Sequence, residues 1–335
     1  MKNLMTCLSV CMLSGVVAAE VHHVPADFPT IQYAVDVALD GDEIIVAPGT
    51  YTSTADEVVD MRGKEIWLHS SGGAEVTIID GEETRRGIYC GNGETSSTII
   101  EGFTITNGYA NNGGGGMKNV TSSPTLTNCT FENNNGGGMW NDNSNPTLDG
   151  CTFENNTASY GGGMYNSSSD PTLIDCTFTG NTTTYYGYGG GMNNYECSPT
   201  LTNCTFTNNT AGNGGGGMYN AHESSPMLTD TTVCGNTPDQ IWGEWIDDGG
   251  VCVAYSCEDS NDDGIPDKCT NPGGNTILVP EEYALIQDAI NVAVHGDEII
   301  IGPGTYTGVG DWVVNPMGKR LWIHSSDGPE ITIIE

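Results

Sequence analysis

Gly136–Asn156 reads GGGMWNDNSNPTLDGCTFENN, and Gly161–Asn181 reads GGGMYNSSSDPTLIDCTFTGN. The same frame returns three more times. GGGGMKN ends at Asn119, GGGMNN at Asn194 and GGGGMYN at Asn220, and these lead into SPTLTNCTFENN, SPTLTNCTFTNN and SPMLTDTTVCGN. Met117, Met139, Met164, Met192 and Met218 are separated by 22, 25, 28 and 26 residues. The variation falls in Gly-, Asn- and Tyr-rich stretches before the glycine run, where a loop absorbs it. A period in the twenties with short β-type runs marks a solenoid, and a leucine-rich repeat would need several leucines where each unit here has about one. The remaining architecture is a parallel β-helix with one coil per repeat.

The inward rows follow from the alignment. Leu126, Leu148, Leu173, Leu201 and Leu228 form one. Cys129, Cys151, Cys176 and Cys204 form a second, with Thr231 in the fifth coil. Phe131, Phe153, Phe178, Phe206 and Val233 form a third, and the five Met a fourth. A Leu-to-Cys spacing of three breaks the alternation of a single strand, so a corner lies between them. Each coil then holds three short strands: Pro-Thr-Leu, Cys-Thr-Phe and Gly-Gly-Met. Asn134, Asn156, Asn181, Asn209 and Asn236 align three residues after the Phe row, and Asn119, Asn141, Asn166, Asn194 and Asn220 two after Met. Identical amides at equivalent turns can hydrogen-bond up a stack, and Asn tolerates the left-handed backbone of a sharp corner.

A second, longer repeat frames these coils. Val24–Asp80 aligns without a gap to Val279–Glu335, with 31 of 57 positions identical. Both copies carry GDEII, PGTYT and a Trp-x-His-Ser-Ser run, with His69 and His324 in equivalent places, which favours a structural role for both. Ile31, Ala34, Val35 and Ala38 recur at helical spacing, as do Ile286, Ala289, Ile290 and Ala293, and Pro29 suits a first helical turn. A helix there covers the open apolar end of a β-helix. The expected organisation is a signal peptide over 1–19, a parallel β-helix with its capping helix over 20–250, a Cys-rich linker over 251–275, and the truncated start of a second β-helix unit over 276–335.

FENN, FTGN and FTNN, each followed by GGGM, resemble the FxxN and GGA[ILV] repeats of chlamydial polymorphic outer membrane proteins over roughly Gly102–Asn236, with Met in place of the aliphatic residue and without the autotransporter barrel. IQYAVDVALDGDEIIVAPGTYT resembles the N-terminal cap and first coil of pectin-lyase-like proteins. These resemblances imply an all-β fold, a right-handed single-stranded parallel β-helix with an N-terminal helical cap, and secreted or cell-surface placement.

Composition bounds the partners. Among 335 residues Lys+Arg number 9 and Asp+Glu 43, a net charge of −34. Phosphate contacts need Lys and Arg, so nucleic acid is excluded as a partner, and anionic lipid is disfavoured. Lys2, the apolar run Leu4–Val17 and the small Ala18-Ala19 before Glu20 read as a cleaved secretory signal; no other run reaches membrane-spanning length.

Ten cysteines remain after such cleavage, an even number that invites bridges. Side chains pointing in parallel along a column suit a disulfide poorly, so the four stacked Cys are expected to be free. Cys257–Cys269 is expected to brace the intervening loop, with Cys234–Cys252 as a second pair. That loop contains D-x-N-x-D-G, placing Asp259, Asn261 and Asp263 at positions 1, 3 and 5 of a calcium loop, the Ile265 carbonyl at 7 and Asp267 at 9, with Thr270 where the bidentate Glu would stand. It resembles thrombospondin type 3 and dockerin repeats, which implies calcium as a cofactor.

Catalysis has less support. A β-helix polysaccharide lyase needs a cation to neutralise a uronate and a base to take the proton, yet no Lys or Arg lies between Lys118 and Lys268, and His222 is the only His there. The acids Glu132, Asp149, Glu154, Asp170 and Asp175 fall at turn or outward positions. The NTD, GHG and RIK motifs of polygalacturonases and the DPHE motif of alginate epimerases are absent from the sequence. Aromatic residues are the better binding candidates. Trp140, Tyr165 and Tyr219 directly follow the inward Met and point outward on one face, interrupted by Lys118 and Asn193, with Tyr160, Tyr186 and Tyr188 in nearby loops. Rings at the spacing of stacked strands could take neutral polysaccharide or a surface protein; the alternative is that they stack on one another and stiffen the coil. The expected function is a non-catalytic repeat protein with a structural, adhesive or ligand-presenting role, set against a lyase, glycosidase or epimerase.

Overall fold

The computed structural model describes residues 18–254, 256–257, 276–292, 298–308, 314–315, 322–326, 328 and 332–334. They form an all-β, right-handed parallel β-helix with three strands per coil. Three parallel sheets run along its axis. The leucine sheet has ten strands, from Val21–Val24 to Ile246–Asp247. The phenylalanine sheet has nine, from Gly49–Tyr51 to Cys252–Ala254, and the methionine sheet eight, from Glu57–Asp60 to Ile241–Trp242.

The rows read from the sequence are the rows of the core. Leu126, Leu148, Leu173, Leu201 and Leu228 are successive register partners, and the row continues upstream through Ile100, Leu68 and Ile44. The Phe rings stack at 4.9, 4.6 and 4.5 Å between centroids, tilted by no more than 6°. Met117 to Met218 are in register and fully or almost fully buried. At the corner, Cys129, Cys176 and Cys204 each donate to the carbonyl two residues before it, at 3.4, 3.2 and 3.4 Å. Thr231 makes the same contact at 2.9 Å, so a hydroxyl replaces the thiol in the fifth coil.

Both asparagine rows are hydrogen-bonded ladders. On the methionine side, Nδ2 of Asn119, Asn141, Asn166 and Asn194 donates to Oδ1 of the next Asn at 2.8–2.9 Å, and Asn220 ends the run on the Glu244 carbonyl. On the phenylalanine side, Oδ1 of Asn156, Asn181, Asn209 and Asn236 accepts both Nδ2 and backbone N–H from the Asn of the coil before, as in the Asn156 to Asn181 step at 2.9 and 3.1 Å, and Asn134 Oδ1 accepts Gly108 N–H. The left-handed backbone belongs to the residue just before this ladder: Asn133, Asn155, Gly180, Asn208 and Gly235 have φ of 56, 54, 64, 55 and 65°. One residue turns the chain and the next pairs the coils. The second Gly of each pair before Met is required by close approach, since a Cβ at Gly163 would lie 2.5 Å from the Gly191 carbonyl oxygen.

Helix α1 (Ile31–Val37) buries Ile31, Ala34 and Val35 against the first coils. Thr30 is its N-cap and accepts from Tyr33 N–H, so Pro29 precedes the cap instead of occupying the first turn, and Ala38 is the C-cap. Lys64 Nζ donates to the carbonyls of Val35, Asp36 and Ala38, neutralising the C-terminal end of the helix dipole. The long repeat is structural as well as sequential. Helix α2 (Ile286–Val292) buries Ile286, Ala289 and Ile290 in a separate core with Ile277, Ile299 and Ile301. Gln32 bonds both backbone groups of Asp60, and Gln287 does the same with Asn315. Tyr51 donates to the Ala47 carbonyl and Tyr306 to that of Gly302.

Candidate ligand-binding face

Alternation along the methionine sheet turns the residue after each inward side chain outward. The resulting row, in register, is Tyr89, Lys118, Trp140, Tyr165, Asn193, Tyr219 and Trp242. Trp140 and Tyr165 lie 4.2 Å apart, and Tyr219 and Trp242 lie 4.3 Å apart with planes inclined by 12°. The break at Asn193 is closed from outside the sheet. Thr157–Tyr160 and Thr182–Tyr188 form an extra two-stranded parallel excursion, which lays Tyr188 4.5 Å from Tyr219. Asn193 Nδ2 holds the Tyr188 carbonyl at 3.1 Å. Tyr160 joins the same array, 6.4 Å from Tyr165 and 6.3 Å from Tyr188.

Five of the six sequence-selected aromatics, Trp140, Tyr160, Tyr165, Tyr188 and Tyr219, therefore meet on one face, while Tyr186 is exposed on the excursion. Trp242 extends the array and lay outside the repeat pattern, because the fifth GGGM unit has no sixth behind it; Ile241-Trp242 keeps only the in-out alternation. The geometry changes what the face offers. A sugar stacks on the flat face of a ring, and here neighbouring rings cover one another's faces. Tyr165 and Tyr219 present edges, and burial pushes both phenols above their ordinary range. The open surfaces are Trp242, 46% exposed at the end of the row, and Tyr160, 47% exposed on the excursion.

Beside the row lies a cleft of ≈ 360 Å³ lined by Ala110, Asn112, Trp140, Ala158, Ser159 and Tyr160 among others, none of them charged. The Trp140 indole N–H is buried there without a hydrogen-bond partner. A second, more open cleft of ≈ 550 Å³ includes Glu57, Arg85 and Arg86. Arg86 is spoken for: Nε donates to the Gly114 carbonyl at 2.9 Å, Nη1 to Glu57 at 2.9 Å, and Nη2 to Asn112 at 2.8 Å. Burial lowers the Arg86 pKa against the pull of Glu57, and burial raises that of Glu57 despite Arg86. Lys118 lies 5.4 Å over the Trp140 ring, and burial, helped by Arg86, lowers its pKa.

The candidate acids do not gather into one group. Glu132 and Glu154 are register partners within the phenylalanine sheet, on its outer face, Asp149 is exposed on the leucine sheet, and Asp170 and Asp175 are exposed at or near corners. Among the described residues no three His, Cys, Asp or Glu cluster as metal ligands. Asp259, Asn261, Asp263, Ile265, Asp267 and Cys269 lie outside the described residues.

The cysteine pairing differs from expectation. Cys234 bonds Cys257, with Cα atoms 5.3 Å apart, and not Cys252; Cys257 is thereby taken from Cys269. Register explains it: Cys252 stands opposite Thr232, two residues short of Cys234, which faces Ala254. Cys252 is itself disulfide-bonded. Cys129, Cys151, Cys176 and Cys204 are free as expected, and so are Cys90 and Cys197.

A family model described as a right-handed beta helix region matches residues 65–261. No curated protein matches the chain. Among solved structures, a pectate lyase, Pel9A, is similar at 13% identity, with 96% of this chain and 78% of that chain covered and a TM-score of 0.49. A variant of AlyGC, an alginate lyase of family PL6, is similar at 12% identity, with 94% and 68% covered and a TM-score of 0.24.

Proposed function

The chain belongs to the right-handed β-helix family, and from that premise we propose that it is an exported, non-catalytic repeat protein. It acts at the cell surface as a stiff rod that presents a ligand face. The observation carrying this reading is the commitment of the cations beside the clefts. Abstracting a proton next to a uronate needs a free positive charge at the developing anion and a base of matched pKa. Arg86 is locked into backbone and carboxylate contacts, Arg85 is paired with Glu82, Lys118 rests on Trp140, and the sequence from Asn119 to Asp267 has no Lys or Arg. The self-stacked aromatic row supports a stiffening role. The uncharged cleft at Trp140 and Tyr160 favours a neutral polysaccharide over an acidic one, and the export signal and the calcium-type loop over 257–269 fit an extracellular site of action.

Incubation with neutral and acidic polysaccharides, with millimolar calcium, tests the reading. We expect retention of a neutral glycan and no new reducing or unsaturated ends. Sustained turnover abolished by one carboxylate substitution would establish the competing reading, a polysaccharide lyase, glycosidase or epimerase.

A further inference from the structure

Asp42 is an almost buried carboxylate, its side chain 4% exposed, in a chain with few cations. Its Oδ1 accepts the backbone N–H of Glu20 at 2.8 Å, and its Oδ2 accepts that of Leu39 at 2.8 Å and faces Nε2 of His22 at 3.1 Å. No Lys or Arg among the described residues pairs with it. A buried carboxylate stays charged only where donors or a cation compensate its lost hydration. Glu20 is also the point at which the chain locks onto the fold. Its carbonyl accepts Glu43 N–H at 2.9 Å, the first strand begins at Val21, and Ala18, Ala19 and Glu20 are exposed.

These residues coincide with the junction that sequence marks for leader removal, Ala19–Glu20. We infer that Asp42 is the receptor for the α-amino group created by cleavage there, an inference resting on the export reading above. A peptidase of the signal-processing class adds water across the peptide bond: the Ala19 carbonyl carbon leaves as a carboxylate, and the Glu20 nitrogen takes up protons as an α-ammonium. That nitrogen already sits 2.8 Å from Asp42 Oδ1. Hydrolysis changes a neutral amide donor into a charged one without moving it, and charge-assisted bonds of this kind are roughly twice as strong as neutral ones. The new terminus supplies the cation that the site lacks and fastens the capped end of the β-helix. Processing thereby adds stability as well as removing the leader.

Two measurements test this separately from the export reading. N-terminal sequencing of exported protein should give Glu20; a different start overturns the processing step together with the inference. The full chain from Glu20 is then compared with the same chain acetylated at its α-amino group. We expect a melting temperature lower by about 2–4 °C after acetylation, and an α-amino group titrating at least about one unit above its usual 7.7–8.0. Asp42→Asn should abolish the acetylation difference. Equal melting temperatures with an ordinary α-amino titration would overturn the pairing even where Glu20 is the true start. Should Asp42→Asn fail to fold, the titration of the unsubstituted chain decides.

Discussion

Gln240 accepts both the side-chain Nδ2 and the backbone N–H of Asn236 through its Oε1, at 2.8 and 3.0 Å, and so stands where a sixth ladder asparagine would be. Its own Nε2 returns to the Asn236 carbonyl at 3.0 Å. Gln240→Ala leaves the Asn236 backbone N–H without an acceptor and its Nδ2 with only the Phe206 carbonyl, at a cost of about 1–3 kcal/mol for the unsatisfied group. Urea denaturation should show the loss, and Gln240→Glu, which keeps an acceptor in place, should recover part of it.

The central coil is the least forgiving place for charge. Phe178 is fully buried between Phe153 and Phe206. Phe178→Asp places an unpaired carboxylate in a dry row and should abolish cooperative folding. Asn143, exposed at φ 48°, tolerates Asp, which visits the same backbone region. Circular dichroism and melting of both variants separate the two effects.

The methionine-side ladder starts with a defect. Asn119 Oδ1 is buried with no hydrogen-bond partner, and its register neighbour upstream is Cys90. A hydroxyl is a better donor than a thiol. Cys90→Ser should therefore be neutral or stabilising by about 1 kcal/mol, whereas the same change at a well-packed buried thiol destabilises. Chemical denaturation gives the sign.

The free thiols should be slow to react in the folded protein. Burial pushes Cys197 up to about 11, so its thiolate is scarce at neutral pH and grows only as pH rises toward that value. Burial pushes the Cys90 thiol up as well, so alkylation followed by mass spectrometry should leave Cys90 and Cys197 unmodified near pH 7 until denaturant is added.

Acid should loosen the capped end first. Burial acts to raise the Asp42 pKa, but hydrogen bonds from Glu20, Leu39 and His22 outweigh it and hold the group below 3.8. A depressed folded-state pKa contributes stability above the unfolded value, lost as pH falls through the folded one. The stability difference between the native chain and Asp42→Asn should be full at pH 6 and shrink below about pH 4. Melting curves across that range check it.

The rows are legible because each coil repeats the same letters at the same turns, which places Leu148 and Phe153 from the sequence alone. The helix was legible from Ile31, Ala34 and Val35, although its start was set by the Thr30 cap and not by Pro29. What one coil does not repeat was harder to read. Tyr188 reaches Tyr219 only because an irregular excursion replaces the missing ring at Asn193, and Gln240 ends a ladder from a position where no Asn occurs. The Cys234–Cys257 bridge depends on strand register in the last coil, which spacing along the chain does not encode. Trp140 illustrates the limit for the site: its outward direction was readable, but the covering of ring faces by their neighbours follows from side-chain tilt.

Because the amide-to-amide bonds of both ladders all run from Nδ2 of one coil to Oδ1 of the next, the coils are interchangeable modules with one common polarity. Excising Met164 through Gly191 would bring Met192 into the seat of Met164 and join Asn156 to Asn209 with donor and acceptor still matched. Exchange of such units changes the length of the rod while keeping its ladders matched, and the aromatic face, which loses Tyr165 and Tyr188 in that excision, is the part that length does not conserve.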